Sequence, residues 1–364
     1  METTGIQTAT IESPLAAIHQ SANAKIGVWF GTALPDDFGD WQREYAIAKQ
    51  HVALIDRNYL AYFGFSGPDR ARYLNAILTN NIKDLQPGQG NRSLLLNPQG
   101  RILAEIETQA RNDQLLCISH AMICEKLAET LEKFIIMDDV ALTDETNRYG
   151  TLSLQGPKAA QLIKGIAQGI DLDAVPEFNS IDVALNAISC TVTRKSFGTT
   201  TSVDIRVDRK DLDPLWNFLA EKTRTASGGP VGYTALNALR LEQAIPWFAY
   251  DFGDKQIPHE AGLQESHISY VKGCYTGQEI VERVRSRGQV NRRRISLRFS
   301  TEQPPPAGTA LTADGKEVGT ITTSSPLPSS QPSIGMGYVR KESAAPGAEL
   351  TFTASESSGK AVVA

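Results

Sequence analysis

Four cysteines and five histidines are all that this 364-residue chain offers to soft metals and redox chemistry. Cys117, Cys124, Cys190 and Cys274 form no CxxC pair. Nor do they combine with the scattered His19, His51, His120, His259 and His267 at zinc-ligand spacing, so a zinc module or a thioredoxin-type motif is excluded and no permanent metal site is expected. So few cysteines in so long a chain also argue against a disulfide framework. No apolar run approaches the ~18 residues that a membrane helix needs. No basic residue precedes Lys25, which argues against a secretory n-region and against an Arg-rich transit peptide. A cytoplasmic protein without a membrane partner is expected, the alternative being a product already without its leader.

Hydrophobic residues make up 41% and charged residues 21%, the balance of a globular, well-cored chain. Its length suits two or three compact units. Net charge is −5, unevenly spread. Residues 269–294 hold seven Lys/Arg and two Glu, a local +5, so the remainder carries −10. A basic island in an acidic chain points to an anionic ligand; its bland counterpart is a solvated helix face laced with ion pairs.

Residues 1–37 show little periodicity beyond a strand-like "IGVWF" and are expected to form an irregular N-terminal arm. A helix should follow, capped by Asp37 or Asp40, with Trp41, Tyr45, Ala48 and Val52 on one face. "YFGFSGPDRARYLNAIL" and "GTLSLQGPKAAQLIKGI" both read as strand, Gly-Pro, helix, an internal echo that suggests two similar α+β halves. "NPQGR" between "SLLL" and "ILAEIETQ" predicts a hairpin, and the helix of "YTALNALRLEQAIPWF" must break by Pro246. Past residue 290, short strands cut by Pro, Gly and Ser predict a small β-domain over 291–364, with a hairpin at Asp314-Gly315. Residues 38–290 then form the main α+β region.

Within the basic island lies "KGCYTGQEIVER". Thr276 and Glu279 have capping-box spacing, with Tyr275 and Ile280 at the staple positions and Gly288 placed to end the helix. Glu279 and Arg283 stand i,i+4 in the favourable order. Cys274 would then sit by the positive end of this helix, with Lys272 as a nearby cation, and both favour a thiolate. A small buried apolar residue is the other reading of the same cysteine.

"KGCYTGQEIVER" matches the signature of the YgfZ family of folate-binding proteins, relatives of the glycine-cleavage T-protein, an aminomethyltransferase. "SGPDRARYLNAILTNNI", "ALRLEQAIPWFAYDF" and "GKEVGTITTSSPLPSSQPSIGMGYV" resemble T-protein motifs in the same order, the second with Arg240, Glu242 and Asp251 in step. The resemblance implies an α+β, T-protein-like cloverleaf: two α+β units around a central channel, followed by a C-terminal β-barrel. It implies tetrahydrofolate as cofactor, possible polyglutamylation included, and work in the assembly or repair of iron–sulfur enzymes. Cys274 is then the working thiol, and Glu105, Arg240, Lys272, Tyr275, Gln278, Glu279 and Arg283 are the folate contacts. Arg240 and the 283–294 block would meet the glutamate tail; an intrahelical ion pair is the alternative for Arg240.

Two departures from the T-protein pattern stand out. Its Asp-Asp doublet is Ala104-Glu105 here, and Thr200 replaces a pterin-holding Glu. Ring opening of a folate adduct therefore lacks its usual carboxylate partner, and aminomethyl transfer is not expected. The alternative is a folate-dependent aminomethyl- or methyltransferase in which Glu105 stands in. A tRNA-binding or tRNA-modification factor using the arginines on phosphates ranks third, with nucleic acid an unfavoured partner.

Overall fold

The computed structural model describes residues 9–167, 170–288, 290–329, 331–354 and 357–364. The chain forms two compact units that interleave along the sequence. One takes residues up to Arg70, 86–90 and 107–235; the other takes 71–85, 91–106 and 236–364.

In the first unit, β1 (Ile11–Glu12), β2 (Lys25–Trp29) and β3 (Thr32–Asp37) form a sheet in the order β1-β3-β2. The described part of the expected irregular arm is therefore folded. Its anchors are Leu15, Phe30 and Leu34, all buried, and Ser13 and His19, which both hydrogen-bond Asp56. Helix Trp41–Gln50 follows, capped as the sequence predicts: Asp40 Oδ1 accepts from the backbone N–H groups of Gln42 and Arg43, each at 3.1 Å.

Next come β4 (Ala53–Asp56), β5 (Leu60–Ser66), β6 (Gly90–Leu96), β7 (Ile102–Ala110), β8 (Leu115–His120) and β9 (Ala141–Asp144). β10 (Tyr149–Gln155), β11 (Ser180–Leu185), β12 (Ile188–Phe197), β13 (Thr200–Asp208) and β14 (Gly229–Pro230) complete this part. A six-stranded sheet runs β11-β12-β13-β10-β4-β14. The strand–Gly-Pro–helix echo is real, and its cause is steric. Gly67 and Gly156 both turn the chain with positive φ, 96° and 111°. A Cβ on either would lie within 2.4 Å of a backbone carbonyl oxygen, Asp139 O or His51 O, so only glycine fits.

One face of the six-stranded sheet is apolar. Val192, Val203, Ile205, Leu152 and Leu54 pack there against helices Ala159–Ile166 and Leu212–Thr225, which supply Ile163, Leu215 and Leu219. Strand alternation turns Thr191, Thr193 and Lys195 of β12 and Ser202, Asp204 and Arg206 of β13 to the opposite face.

In the second unit, the parts of β6 and β7 within 91–106 make the predicted hairpin. Asn97 Oδ1 accepts from Gln99 and Arg101 N–H across the turn. Helix Tyr233–Glu242 ends ahead of Pro246, as expected. The remaining strands are β15 (Arg292–Phe299), β16 (Ala310–Ala313), β17 (Lys316–Ser325), β18 (Ile334–Arg340), β19 (Glu349–Thr353) and β20 (Ser358–Val363). They close into a barrel in the order β15-β18-β17-β16-β19-β20 around Leu297, Phe299, Leu311, Phe352 and Val363. Asp314 and Gly315, both at positive φ, turn β16 into β17. The fold is α+β with a closed six-stranded C-terminal barrel.

Candidate functional site

The "KGCYTGQE" segment is held at two points with the thiol between them. Lys272 Nζ donates to the carbonyl oxygens of Asn75, Leu78 and Asn80 at 2.5, 2.6 and 2.9 Å. Burial pulls this lysine down to about 8, while three carbonyl acceptors favour its protonated form. Tyr275 is buried, with the ammonium 5.3 Å above its ring. Its hydroxyl has no hydrogen-bond partner among the described residues, and burial pushes its pKa up, which keeps it protonated. Val271, 95% exposed, Gly273 and Cys274 face solvent. Of the four cysteines only Cys274 is exposed. Burial pushes the thiols of Cys117 and Cys190 up to about 12 and that of Cys124 to about 11.

The helix after the thiol departs from the expected capping box. It runs Gln278–Arg287, and its N-cap is Gly277, left-handed at φ 83°, with no side-chain cap. A Cβ on Gly277 would stand 2.7 Å from Asn97 O, so the β6–β7 turn sits hard against this residue and dictates where the helix begins. Thr276 is displaced from the cap, and Glu279 reaches forward to Arg283, at 2.5 Å, instead of back. Gly288 ends the helix as expected, at φ 62°. Ile280 packs on Gly100 rather than acting as a staple. Gln278 is half-buried; Glu279 and Arg283 are exposed and held by each other. Lys272 also departs from its expected place as a free cation for the thiol or the folate, because its three donors serve backbone carbonyls.

Glu105 lies on β7, where Ile102, Ala104 and Ile106 are buried and the alternate residues are half-exposed. The missing first carboxylate of the doublet would point into the core; the second position, held by Glu105, faces the open side. Glu105 Oε1 is 2.9 Å from His267 Nε2 and 3.7 Å from Arg92 Nε. His267 is 2% exposed, and its Nδ1 lies 2.7 Å from Ser266 Oγ. Its carbonyl accepts from Thr79 Oγ1 at 2.7 Å, and Thr79 Oγ1 accepts from Leu94 N–H at 2.8 Å, so the histidine backbone is tied to β6.

Arg240 is no surface contact for a glutamate tail. Its side chain is fully buried and paired with Asp251, also fully buried. Asn237 Oδ1 and the Ile245 carbonyl take further N–H groups, and Trp247 lies 4.7 Å away under the guanidinium. Asp251 in turn accepts from Thr322 and Thr323 of β17. The partner is Asp251 rather than Glu242, because the chain folds back at 245–251 beneath the helix end.

The first unit carries a charged cluster that the sequence reading missed. On the polar face of the sheet, Lys195 pairs with Glu107 and lies 3.8 Å from Asp204, which is 2.7 Å from Arg57. Burial would raise Asp204, but Arg57 and Lys195 together hold it below its usual value. Gln109 bridges Thr193 and the buried Arg206, which burial pulls down to about 10. The signal was there: "CTVT" and "VDIRVD" alternate apolar and polar residues. Thr200, which stands in place of the T-protein's pterin-holding Glu, is half-exposed at the start of β13.

An α+β region followed by a closed barrel defines the class, and comparison supplies the family. Residues 15–266 match the GCVT N-terminal domain and residues 292–364 the glycine cleavage T-protein C-terminal barrel domain. This chain therefore belongs to the glycine cleavage T-protein family, whose folate is tetrahydrofolate. It is 24% identical over 336 residues to an aminomethyltransferase of Streptomyces avermitilis, covering 92% of this chain and 90% of that protein. It is 26% identical over 341 residues to one from Geobacillus kaustophilus, covering 93% of each. The crystal structure of the glycine cleavage system aminomethyltransferase T from Bartonella henselae superposes with a TM-score of 0.85 at 22% identity, over 98% of this chain and 97% of that one. No described helix is long and apolar enough to cross a membrane.

Proposed function

We propose that this chain binds a reduced folate and presents Cys274 to iron–sulfur enzymes or their assembly proteins, as an accessory in assembly or repair. The observation that carries the reading is the placement of Cys274: an exposed thiol between Lys272, clamped to three carbonyls, and buried Tyr275. An exposed cysteine with no role needs no such mounting. A thiolate is a soft ligand suited to iron. The residues present suit a folate: the Glu105 carboxylate accepts N–H groups, and the unpartnered Tyr275 hydroxyl has a hydrogen bond to give. Exposed Arg283, Arg285, Arg287 and Arg293 favour a polyglutamate tail.

A second reading is aminomethyl or methyl transfer on the folate. The names of the curated relatives favour it over the first, and so does Glu105, a carboxylate kept at the outward position of the doublet. One experiment separates the two. Tetrahydrofolate is titrated into the full chain, and the same sample is assayed for Cys274 alkylation and for folate-dependent one-carbon transfer. The accessory reading expects folate binding, a folate-dependent alkylation rate and no transfer, with Cys274→Ser abolishing support of iron–sulfur enzymes while folate binding persists. Transfer that disappears in Glu105→Gln and survives Cys274→Ser overturns it in favour of the second reading. Absence of folate binding defeats both.

A further inference from the structure

The Glu105–His267–Ser266 chain has a property that follows from the donor inventory of its members. An ionised carboxylate only accepts, so His267 Nε2, 2.9 Å from Glu105 Oε1, carries its hydrogen. Nδ1 then faces a hydroxyl at 2.7 Å. A hydroxyl both donates and accepts. If the imidazole is neutral, Ser266 donates to Nδ1; if it is an imidazolium, Nδ1–H donates to Ser266. The Nε2–H···Glu105 bond is the same in both cases. The histidine is also fixed from behind, because Thr79 joins its carbonyl to the Leu94 N–H of β6. With His267 2% exposed, water does not compete for the ring. Glu105 thus has its donor in Nε2–H, whichever way the Ser266 hydroxyl turns. Arg92, 3.7 Å from the same oxygen, adds a positive charge beside it.

We propose that His267, held between Ser266 and Glu105, is a positioning residue that holds the Glu105 carboxylate in one orientation toward N–H groups of the bound folate. The inference rests on the folate reading. It assigns to an imidazole and a hydroxyl the task of fixing a lone carboxylate at a place where T-proteins carry two aspartates. Ligands with N–H donors on the reduced pterin ring are favoured over those in which these positions are blocked or lack hydrogen, since a fixed carboxylate offers acceptors alone.

The test uses the full chain with tetrahydrofolate as the probe. Glu105→Gln and His267→Leu each weaken binding by about 10- to 100-fold, the range for losing a hydrogen bond to a charged group. The double variant is no weaker than the single ones, since both remove the same contact. His267→Gln, whose amide N–H falls near the Nε2 position, recovers binding to within about threefold of the parent, which a purely structural role would not predict. Ring ¹⁵N shifts of His267 without ligand show a protonated Nε2 that moves in Glu105→Gln. Parent-like affinity in a folded His267→Leu, or a His267→Gln as weak as His267→Leu, overturns the proposal. If the parent fails to bind folate, the folate reading fails, and the ring shifts still decide the pair: an Nε2 unaffected by Glu105→Gln overturns it as well. Should His267→Leu not fold, Glu105→Gln and His267→Gln carry the comparison.

Discussion

The guanidinium of Arg240 and the carboxylate of Asp251 form an ion pair in which neither side chain reaches solvent. Burial alone would lower Arg240, and Asp251 opposes that. Asp251→Ala would leave a buried cation without its counter-charge and two barrel hydroxyls without their acceptor. A loss of about 3–5 kcal/mol is expected, read as a lower midpoint in urea unfolding. Arg240→Ala should behave the same way, with any loss of folate affinity vanishing once the unfolded fraction is accounted for. A folded, fully stable Arg240→Ala with weakened folate binding would return Arg240 to the ligand.

Gly277 and Thr276 should respond in opposite senses to the capping-box expectation. Gly277→Ala meets both a positive φ and the Asn97 carbonyl, and a loss of about 2 kcal/mol or more is expected from the strain and the displaced turn. Thr276→Ala removes no cap and should change stability by about 0.5 kcal/mol or less. Thermal unfolding of the two variants side by side decides it; a larger loss in Thr276→Ala would restore the threonine cap.

Lys272→Met keeps the aliphatic stem and removes the three donors. The carbonyls of Asn75, Leu78 and Asn80 would lose a shared partner, at a cost of about 1–3 kcal/mol. The same change frees the segment that carries Cys274, so protease cleavage near 271–274 should accelerate several-fold. Unchanged cleavage would mean that Tyr275 alone anchors the segment.

Glu44 offers a pH test. Its carboxyl group accepts from the backbone N–H groups of Phe38 and Gly232, at 2.6 and 2.7 Å, yet burial raises its pKa from 4.5 to about 7. The folded chain therefore holds this proton more tightly than the unfolded one. Its contribution to stability is complete below about 4.5, falls as pH rises to about 7 and is level beyond. After allowance for solvent screening the change is about 1–3 kcal/mol. Unfolding free energies measured between pH 4.5 and 8 should show this slope, and Glu44→Gln should flatten it. A slope unchanged in the variant assigns the effect elsewhere.

Local rules carried well wherever the chain decides its own course. Asp40 caps its helix, Gly288 ends another, and the Gly-Pro turns and the Asp314-Gly315 hairpin are where they were expected. The reading failed where a distant segment intervenes. Thr276 has the right neighbours for a cap, but the β6–β7 turn presses on Gly277 and starts the helix later. Arg240 has a helical neighbour in Glu242, but Asp251 folds back under it. His267 carried no local signal, since its partner Glu105 is 162 residues away. The Lys195, Glu107, Asp204 and Arg57 cluster was legible as polar alternation in single strands and illegible as a cluster, because sheet order brings those strands together.

The interleaving of the two units bears on synthesis. Residues 71–85 and 91–106 belong with 236–364, yet they leave the ribosome ahead of 107–235. At about 5–20 residues per second, the roughly 130 intervening residues take on the order of ten seconds to appear. Through that interval the hairpin that carries Glu105 waits without His267 and Lys272, its apolar residues open to chaperones, and the second unit can close only near the end of translation.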